Sequence, residues 1–421
     1  MAGDETPPRI FYGWWVVAVS IVGLSIGPGQ FAFASLGLFM LPLGDEFGWD
    51  RAQISLALTV FTVALALSLP VAGRGVDRWG SRRVLVPSIV VCGIGLLAIP
   101  LLATDLWILL LIFALIGSLG AGANSLPYML TIATWFDRRR GLAIGIAMAG
   151  AGAGYAYVPP LVQYMIDGYG WRSGYFVLAA ITLLIGVPLI ALFMQESPAD
   201  RGLRPDGVKS DSADNAPATL TGMARSEALR TPSFWILFMI FGVMAFSLYG
   251  LLPHFVPMLT DRGMDGADAA LIASTIGITI IVARVIIGYL IDRFFAPRVA
   301  LLFFLASAGG IGMLAAGASG PIAYLAAVLI GLSIGAEIDL MAFLTTRYFG
   351  LRCFGEIYGL MFAALLIGTS LGPIAFGMAF ETRGSYGWIL GLCAVLNAVV
   401  SFATLLLPRY REFAVPEPVP A

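Results

Sequence analysis

The fold of this chain is decided by residues 278–293, which read ITIIVARVIIGYLIDR. The run is apolar apart from one internal arginine, Arg284, and it ends at the charged pair Asp292-Arg293. Such a run is typical of a membrane-spanning helix, and the charged pair marks where that helix leaves the lipid. At ~1.5 Å per residue, Arg284 then lies roughly 12 Å below the boundary.

A guanidinium at this depth is costly unless it faces a polar cavity or a partner. Two interpretations of Arg284 follow. In the first, it binds an anion in a water-accessible cavity, and the rest of the chain builds that cavity. In the second, it is a structural arginine paired with a carboxylate. The depth favours the first interpretation.

The composition extends this prediction to the whole chain. Of 421 residues, 59% are hydrophobic and only 12% are charged, and the mean hydropathy is +0.91. Soluble domains carry about 25% charged residues, so we predict a polytopic membrane protein. Apolar runs begin near Trp14, Ala52, Val84, Leu106, Gly141, Gly174, Ser233, Ala269, Val299, Pro321, Glu356 and Trp388, which makes twelve spans.

One long polar segment divides these spans into two sets of six. The predicted domains are an N-terminal six-helix bundle (1–195), a cytoplasmic linker (196–232), a C-terminal six-helix bundle (233–410) and a tail (411–421). With both termini inside, only Arg51, Arg172, Arg262 and Arg383 among the 24 Lys and Arg residues fall on the outer side. This asymmetry predicts a multi-pass protein of the cell membrane, expected to be a bacterial inner membrane, with cytoplasmic termini.

The two sets of spans carry matching residues. The matches pair Asp77-Arg78 with Asp292-Arg293, Gly73 with Gly288, Trp135-Phe136 with Tyr348-Phe349, Gly145 with Gly359, and Pro159 with Pro373. Matches in the same order indicate an internal duplication.

The loop after the second span reads GRGVDRWGSRR at 73–83. It resembles the Gly-x-x-x-Asp-Arg-x-Gly-x-Arg-Arg signature of the major facilitator superfamily. That resemblance implies an all-α integral membrane fold with twelve transmembrane helices in two pseudo-symmetric six-helix bundles. It also implies gating residues at Gly73, Asp77, Arg78, Gly80 and Arg82, with a weaker second copy at Asp292 and Arg293.

Within that superfamily, the chain resembles the branch of monocarboxylate transporters and oxalate–formate antiporters. Tyr12-Gly13-Trp14-Trp15 opens the first span as an aromatic–glycine signature does there. In that branch an arginine in a Val-Ala-Arg run of span eight contacts the substrate carboxylate, and the resemblance implies the same role for Arg284 in Val282-Ala283-Arg284. Oxalate carriers of this branch have a lysine in span eleven, but the only lysine here is Lys209 in the linker. One fixed cation favours a monoanion, which a guanidinium can hold through two parallel bonds.

Span ten contains two further charges, Glu337 and Asp339, at a depth close to that of Arg284. At a spacing of two residues they point about 200° apart, so we expect only one to face the cavity. Desolvation favours the protonated form of such a carboxyl, and either residue is a candidate proton carrier. The alternative is a carboxylate that packs helices together.

His254 is the only histidine, and Pro253 and Pro257 flank it. We expect these prolines to break span seven near its outer end, which suits a gate, a substrate contact or a proton carrier. The alternative is a structural histidine. Gln30, Asn124, Tyr128 and Tyr157 are further candidates for hydrogen bonds to a carboxylate or a hydroxyl, each with a structural alternative.

These observations predict a secondary active transporter that moves a small monocarboxylate with a proton by alternating access. The alternatives are an anion exchanger of the oxalate–formate type, an exporter of drug-like molecules, and a non-transporting membrane sensor. The sequence has no nucleophile–base constellation, no metal-ligand cluster and no Gly-x-x-x-x-Gly-Lys motif. We therefore expect no enzyme activity, cofactor or metal. The expected partners are a small organic anion, protons and the lipid bilayer, without nucleic acid, and the default oligomeric state is a monomer.

Overall fold

The computed structural model describes residues 11–136, 139–198, 222–350 and 352–410, without the side chains of Asp77, Arg140 and Asp292. Over these residues, helices account for nearly all regular structure, and the one β-bridge joins Gly222 to Gly350. Twelve helices are long and apolar enough to cross a membrane. The predicted fold class is therefore confirmed. The predicted linker lies mostly at 199–221, outside the described residues.

The spans begin within three residues of the predicted starts. Spans 1 to 6 are Gly13–Phe47, Arg51–Trp79, Ser81–Leu102, Leu106–Trp135, Arg140–Tyr169 and Trp171–Phe193. Spans 7 to 12 are Pro232–Asp261, Gly266–Arg293, Ala296–Ala315, Gly320–Phe349, Phe354–Arg383 and Gly387–Leu406. A short helix, Arg225–Ala228, precedes span 7.

Acidic residues fix where several spans begin on the side predicted to be outer. The Asp50 carboxylate accepts a bond of 2.6 Å from the Gln53 backbone N–H, and the Gln53 side chain accepts one of 3.0 Å from the Asp50 N–H. Asp105 and Asp265 cap spans 4 and 8 in a similar way. These caps satisfy N–H groups that a helix start leaves unpaired, so the register of each span at the membrane surface is set locally.

Span 7 differs from the prediction. The sequence predicts a break around His254, but Pro232–Asp261 is one continuous helix with Pro253 and Pro257 inside it. Both prolines are buried against neighbouring helices, and away from water an unwound segment would lose more backbone hydrogen bonds than proline removes. Span 1 breaks instead: its helices are Gly13–Ser25 and Pro28–Phe47, since the residue before a proline disfavours the helical conformation.

The two halves, spans 1–6 and spans 7–12, meet along three pairs of spans: 1 with 7, 2 with 11, and 5 with 8. Glycines make each pair close. A Cβ on Gly37 would overlap the Pro253 carbonyl oxygen, one on Gly377 would lie 2.6 Å from the Ala52 Cα, and one on Gly277 would lie 2.6 Å from the Gly152 oxygen. Side chains at these positions would hold the halves apart.

The opposite ends of the same spans, which lie on the side predicted to be cytoplasmic and are called the inner ends, lack such contacts. A Cβ on Gly145, Gly288 or Gly359 would meet nothing within 4 Å, and one on Gly73 would meet only Leu126, a residue of its own half, at 3.8 Å. The duplicated glycines therefore face open space, so the two halves are apart at this end of the protein.

Within each half, hydrogen bonds tie the inner ends together. The Trp135 indole donates to the Gln195 carbonyl at 2.8 Å, and the Thr134 hydroxyl donates to the Glu196 carbonyl at 2.6 Å, so spans 4 and 6 are joined. In the other half, the Tyr348 hydroxyl donates to the Pro408 carbonyl at 2.7 Å. Each half is thus held together at its inner end independently of the other.

Candidate functional site

Arg284 lies on span 8 and is paired with Asp339 on span 10. One guanidinium nitrogen, Nη1, donates to Asp339 Oδ1 at 3.2 Å. The Arg284 side chain is only 8% exposed, whereas that of Asp339 is 35% exposed. Arg284 Nε is buried and has no hydrogen-bond partner among the residues that the structure describes. The contact is single, and the edge of the guanidinium that carries Nε keeps an unused donor.

Glu337 points to the opposite side of span 10, as the spacing predicts. Its side chain is fully buried, and within the described part of the chain neither carboxyl oxygen has a hydrogen-bond partner. The Tyr249 hydroxyl on span 7 lies near this carboxyl without forming a hydrogen bond of normal geometry. A buried carboxyl without donors is most stable when it is protonated, because nothing compensates the negative charge.

Tyrosines surround this group of charges. The Tyr249 hydroxyl interacts electrostatically with Glu337, Arg284 and Tyr155, and the Tyr358 hydroxyl of span 11 interacts with Asp339 and Arg284. Residues of spans 5, 7, 8, 10 and 11 thus converge on one level of the protein. Tyr249 and Tyr358 are not among the residues predicted from the sequence, because neither is part of a recognised motif there.

His254 lies away from this group, in a buried network between the halves. Its Nε2 contacts the Pro373 carbonyl at 2.9 Å and the Ser55 hydroxyl at 3.1 Å, and its Nδ1 contacts the Tyr386 hydroxyl at 3.0 Å. A carbonyl only accepts, so Nε2 carries the proton and Nδ1 accepts from Tyr386. A neutral imidazole therefore satisfies every contact of His254 in this conformation.

Arg51 is the functional candidate that the sequence missed. Its guanidinium makes two bonds to Asp261, at 2.5 and 2.7 Å, and donates to the Tyr386 hydroxyl at 2.8 Å. Its backbone N–H donates to Glu381 at 3.1 Å. Arg51 belongs to span 2, and its three partners belong to the C-terminal half. The sequence contains only a weak indication of this role. Arg51 follows the capping Asp50 on the side predicted to be outer, where basic residues are rare.

The remaining substrate-contact candidates, Gln30, Asn124, Tyr128 and Tyr157, all lie in the N-terminal half. Asn124 caps the second helix of span 4, accepting from the Ser125 N–H at 2.6 Å. Tyr128 is fully buried, and its hydroxyl has no hydrogen-bond partner. Tyr157 lies near Ser25 at the break in span 1, and Gln30 packs against Gly27 there. Their roles at the substrate stay predictions.

The predicted gating residues are placed only in part. Gly80 has a positive φ of 88°, which accounts for the glycine in the turn. The Arg82 backbone N–H donates to Glu196 at 3.3 Å, and its guanidinium donates to the Ala191 carbonyl. Both partners belong to span 6 or its end, within the same half. Arg78 stacks on Trp79 and Arg293 on Tyr289, while the Asp77 and Asp292 side chains are outside the described part.

A small cavity of about 20 Å³ lies between spans 1, 5, 7 and 8. Tyr155 lines it together with apolar residues that include Phe33, Leu38 and Leu252. Phe33 also packs edge-to-face on Tyr249, with ring centroids 5.8 Å apart. Through Tyr155 and Tyr249, this apolar space adjoins the level of Arg284.

Comparison with known proteins gives the same fold and places it among transporters. The profile of the Major Facilitator Superfamily matches residues 20–373. The chain is 28% identical over 420 residues to Monocarboxylate transporter 11 of Mus musculus, covering 96% of this chain and 89% of the relative. It is 23% identical to Monocarboxylate transporter 2 of Rattus norvegicus, covering 97% and 87%. It is 25% identical to the uncharacterized MFS-type transporter YcxA of Bacillus subtilis, covering 96% and 97%.

Proposed function

This chain belongs to the Major Facilitator Superfamily and is a multi-pass membrane transporter, and we propose that it carries a small monocarboxylate together with a proton. The two halves alternate between a state open to the inside and a state open to the outside, around a site at Arg284. The similarity to proteins named monocarboxylate transporters supports the choice of substrate class.

The proposal depends on the guanidinium of Arg284, which has a donor that no described protein group uses. Arg284 is buried, bonds to Asp339 through one nitrogen, and keeps Nε without a partner. A carboxylate that approaches this edge can accept two parallel bonds, which fixes its orientation as well as its charge. A purely structural arginine at this depth is expected to have its donors satisfied by protein groups.

Asp339 supplies the coupling in this proposal. It is the more exposed of the two carboxyls, and it competes with the substrate for Arg284. Protonation of Asp339 removes that competitor and frees the guanidinium for the anion, so the proton and the substrate bind together. Coupling requires such a difference in anion affinity between the protonated and ionised carrier. Glu337 is the second candidate, and His254 is the third.

The test is uptake of monocarboxylates into proteoliposomes with and without an inward proton gradient. We expect the gradient to drive accumulation. Uptake that ignores pH would reject the symport, and counterflow that needs no gradient would indicate exchange. Arg284→Lys keeps the charge but loses the planar pair of donors, so we expect at least ~10-fold weaker binding. Normal transport by this variant would refute the role of Arg284.

Two further variants separate the carboxyls. Asp339→Asn mimics the protonated form, so we expect counterflow to persist while gradient-driven accumulation is lost. Glu337→Gln is the matched control, because it makes the same change two residues away on the buried side of span 10. If Glu337→Gln abolishes gradient-driven accumulation and Asp339→Asn does not, Glu337 carries the coupled proton instead of Asp339.

A further inference from the structure

Three aromatic rings on span 11 form a row that leads from the inner end of the protein to the charged site. Phe354, Tyr358 and Phe362 are four residues apart, so they follow one another along one face of the helix. Neighbouring rings are nearly parallel, at centroid distances of 5.3 Å and 6.3 Å and interplanar angles of 25° and 27°. All three rings are half-buried.

The row faces the interior of the protein. Ile367 and Leu371 mark the outward surface of span 11, since each is 55% exposed, and at 100° per residue the three rings lie on the other side of the helix. Tyr358 interacts with both Arg284 and Asp339. Phe362 is eight residues, or about 12 Å, into the span from Phe354, a depth similar to that of Arg284.

Aromatic groups also continue on the outer side of the charges. Tyr249 lies near Glu337 and Arg284, and Phe33 packs on Tyr249 and lines the small apolar cavity. The charged groups thus form one narrow polar level, with rings on both sides of it. This level is where a carboxylate is favoured, because it holds the guanidinium of Arg284, whereas the electron-rich faces of the rings repel an anion.

The rest of a bound substrate must lie against the rings. We propose that the carboxylate carried by this protein has an aromatic ring as its apolar part, an arylalkanoate whose ring stacks on the row of Phe354, Tyr358 and Phe362. This inference rests on the proposed function, since it needs the carboxylate on Arg284. A short aliphatic acid fills the same charge site but adds no stacking contact to the row.

The test compares three acids on the purified full-length protein by thermal-shift titration: phenylacetate, cyclohexylacetate and acetate. Cyclohexylacetate is a matched control for ring size without a flat face. We expect phenylacetate to bind ~10-fold more tightly than acetate and ~3-fold more tightly than cyclohexylacetate, from one or two stacked contacts. Equal affinity for phenylacetate and acetate, with both lost in Arg284→Ala, would overturn this inference and leave the proposed function intact.

Variants locate the ring site. Phe362→Leu should lower the preference for phenylacetate over acetate ~3- to 10-fold, because only phenylacetate has a ring that can stack on the row. Phe354→Leu, at the inner end of the row, gives a second measurement if Phe362→Leu does not fold. The control is Phe402→Leu, because Phe402 is 54% exposed on span 12 and should not affect any of the three acids. An unchanged preference in the folded row variants refutes the ring site.

Two other outcomes concern the proposed function. Binding of all three acids that persists in Arg284→Ala removes the role of Arg284 and this inference with it. If phenylalanine binds more tightly than 3-phenylpropionate, the substrate is a zwitterion, and an acidic residue of span 10 receives its ammonium group. That result overturns the monoanion assignment while it retains the aromatic ring.

Discussion

The outer and inner ends of the interface between the halves are built from the same spans but differ in contact. At the outer end, Arg51 bonds across to Asp261, and Gly37 and Gly377 bring backbones together. At the inner end, Gly288 and Gly359 face open space. In this structure, the interface between the halves is therefore closed at one end only.

Helical geometry links the two ends. Gly145 is seven residues from Gly152, Gly288 is eleven from Gly277, and Gly359 is eighteen from Gly377. These separations are close to two, three and five turns, so each inner glycine shares a helical face with an outer contact. If the halves rock, the inner glycines are the positions where spans 5 and 8, and spans 2 and 11, can approach as closely as the outer ends do now.

The largest expected effect comes from a wedge at the outer end. Gly37→Ala places a Cβ on the Pro253 carbonyl oxygen, and overpacking of this kind costs about 1–3 kcal/mol. We expect the balance of states to shift ~5- to 150-fold toward outward-open, with slower transport. The reporter is Thr59→Cys on span 2, where the Thr59 hydroxyl donates to the Ser370 carbonyl of span 11 across the interface at 2.5 Å, and we expect its external labelling to become faster. Gly29→Ala in the same span is the control, because its Cβ meets nothing within 4 Å. If Gly37→Ala and Gly29→Ala show the same labelling and transport rates, the contact at Gly37 does not hold the outer end closed.

The second effect runs in the opposite direction. A Cβ at Gly288 meets nothing within 4 Å in the present state, but Gly288→Ala should hinder closure of the inner end. We therefore expect external labelling of Thr59→Cys to fall ~3- to 10-fold and transport to become slower. Gly391→Ala on span 12 makes the same change in open space, away from the other half. If both variants transport normally, Gly288 is not an inner contact.

The third effect tests the charged contact at the outer end. Arg51→Gln and Asp261→Asn, alone and together, should each raise external labelling about fivefold, with a coupling of about 1 kcal/mol between them. The side chains are 10% and 30% exposed, so the pair is only partly screened. Additive effects would show that the pair does not hold the halves together.

The smallest effect is expected at a pair of similar geometry inside one half. Glu46 accepts two bonds from Arg172, at 2.5 and 2.9 Å, but both residues belong to the N-terminal half. Both side chains are well exposed, so Glu46→Gln should change neither the labelling rate nor stability by more than about 0.5 kcal/mol. If Glu46→Gln changes the labelling rate as much as Arg51→Gln does, the charge on the outer surface, and not contact between the halves, sets the ratio of the two states.

Sequence alone predicted what depends on local pattern. The twelve spans follow from hydropathy, and the opposed directions of Glu337 and Asp339 follow from helical spacing. The contacts of Arg51 could not be predicted, because they join residues more than 200 positions apart through the packing of helices from two halves. The continuity of span 7 was missed because proline weakens a helix locally, whereas burial preserves it.

Glu337 has a consequence for how this protein can be handled. A buried carboxyl that receives no hydrogen bond lowers the free energy of unfolding, by about 1–3 kcal/mol relative to a satisfied group. Replacing it by Leu or Met is therefore expected to raise the melting temperature in detergent. Natural proteins keep a destabilising residue where function requires it. Substitutions of Glu337 therefore allow thermal stability and transport rate to be compared at one position.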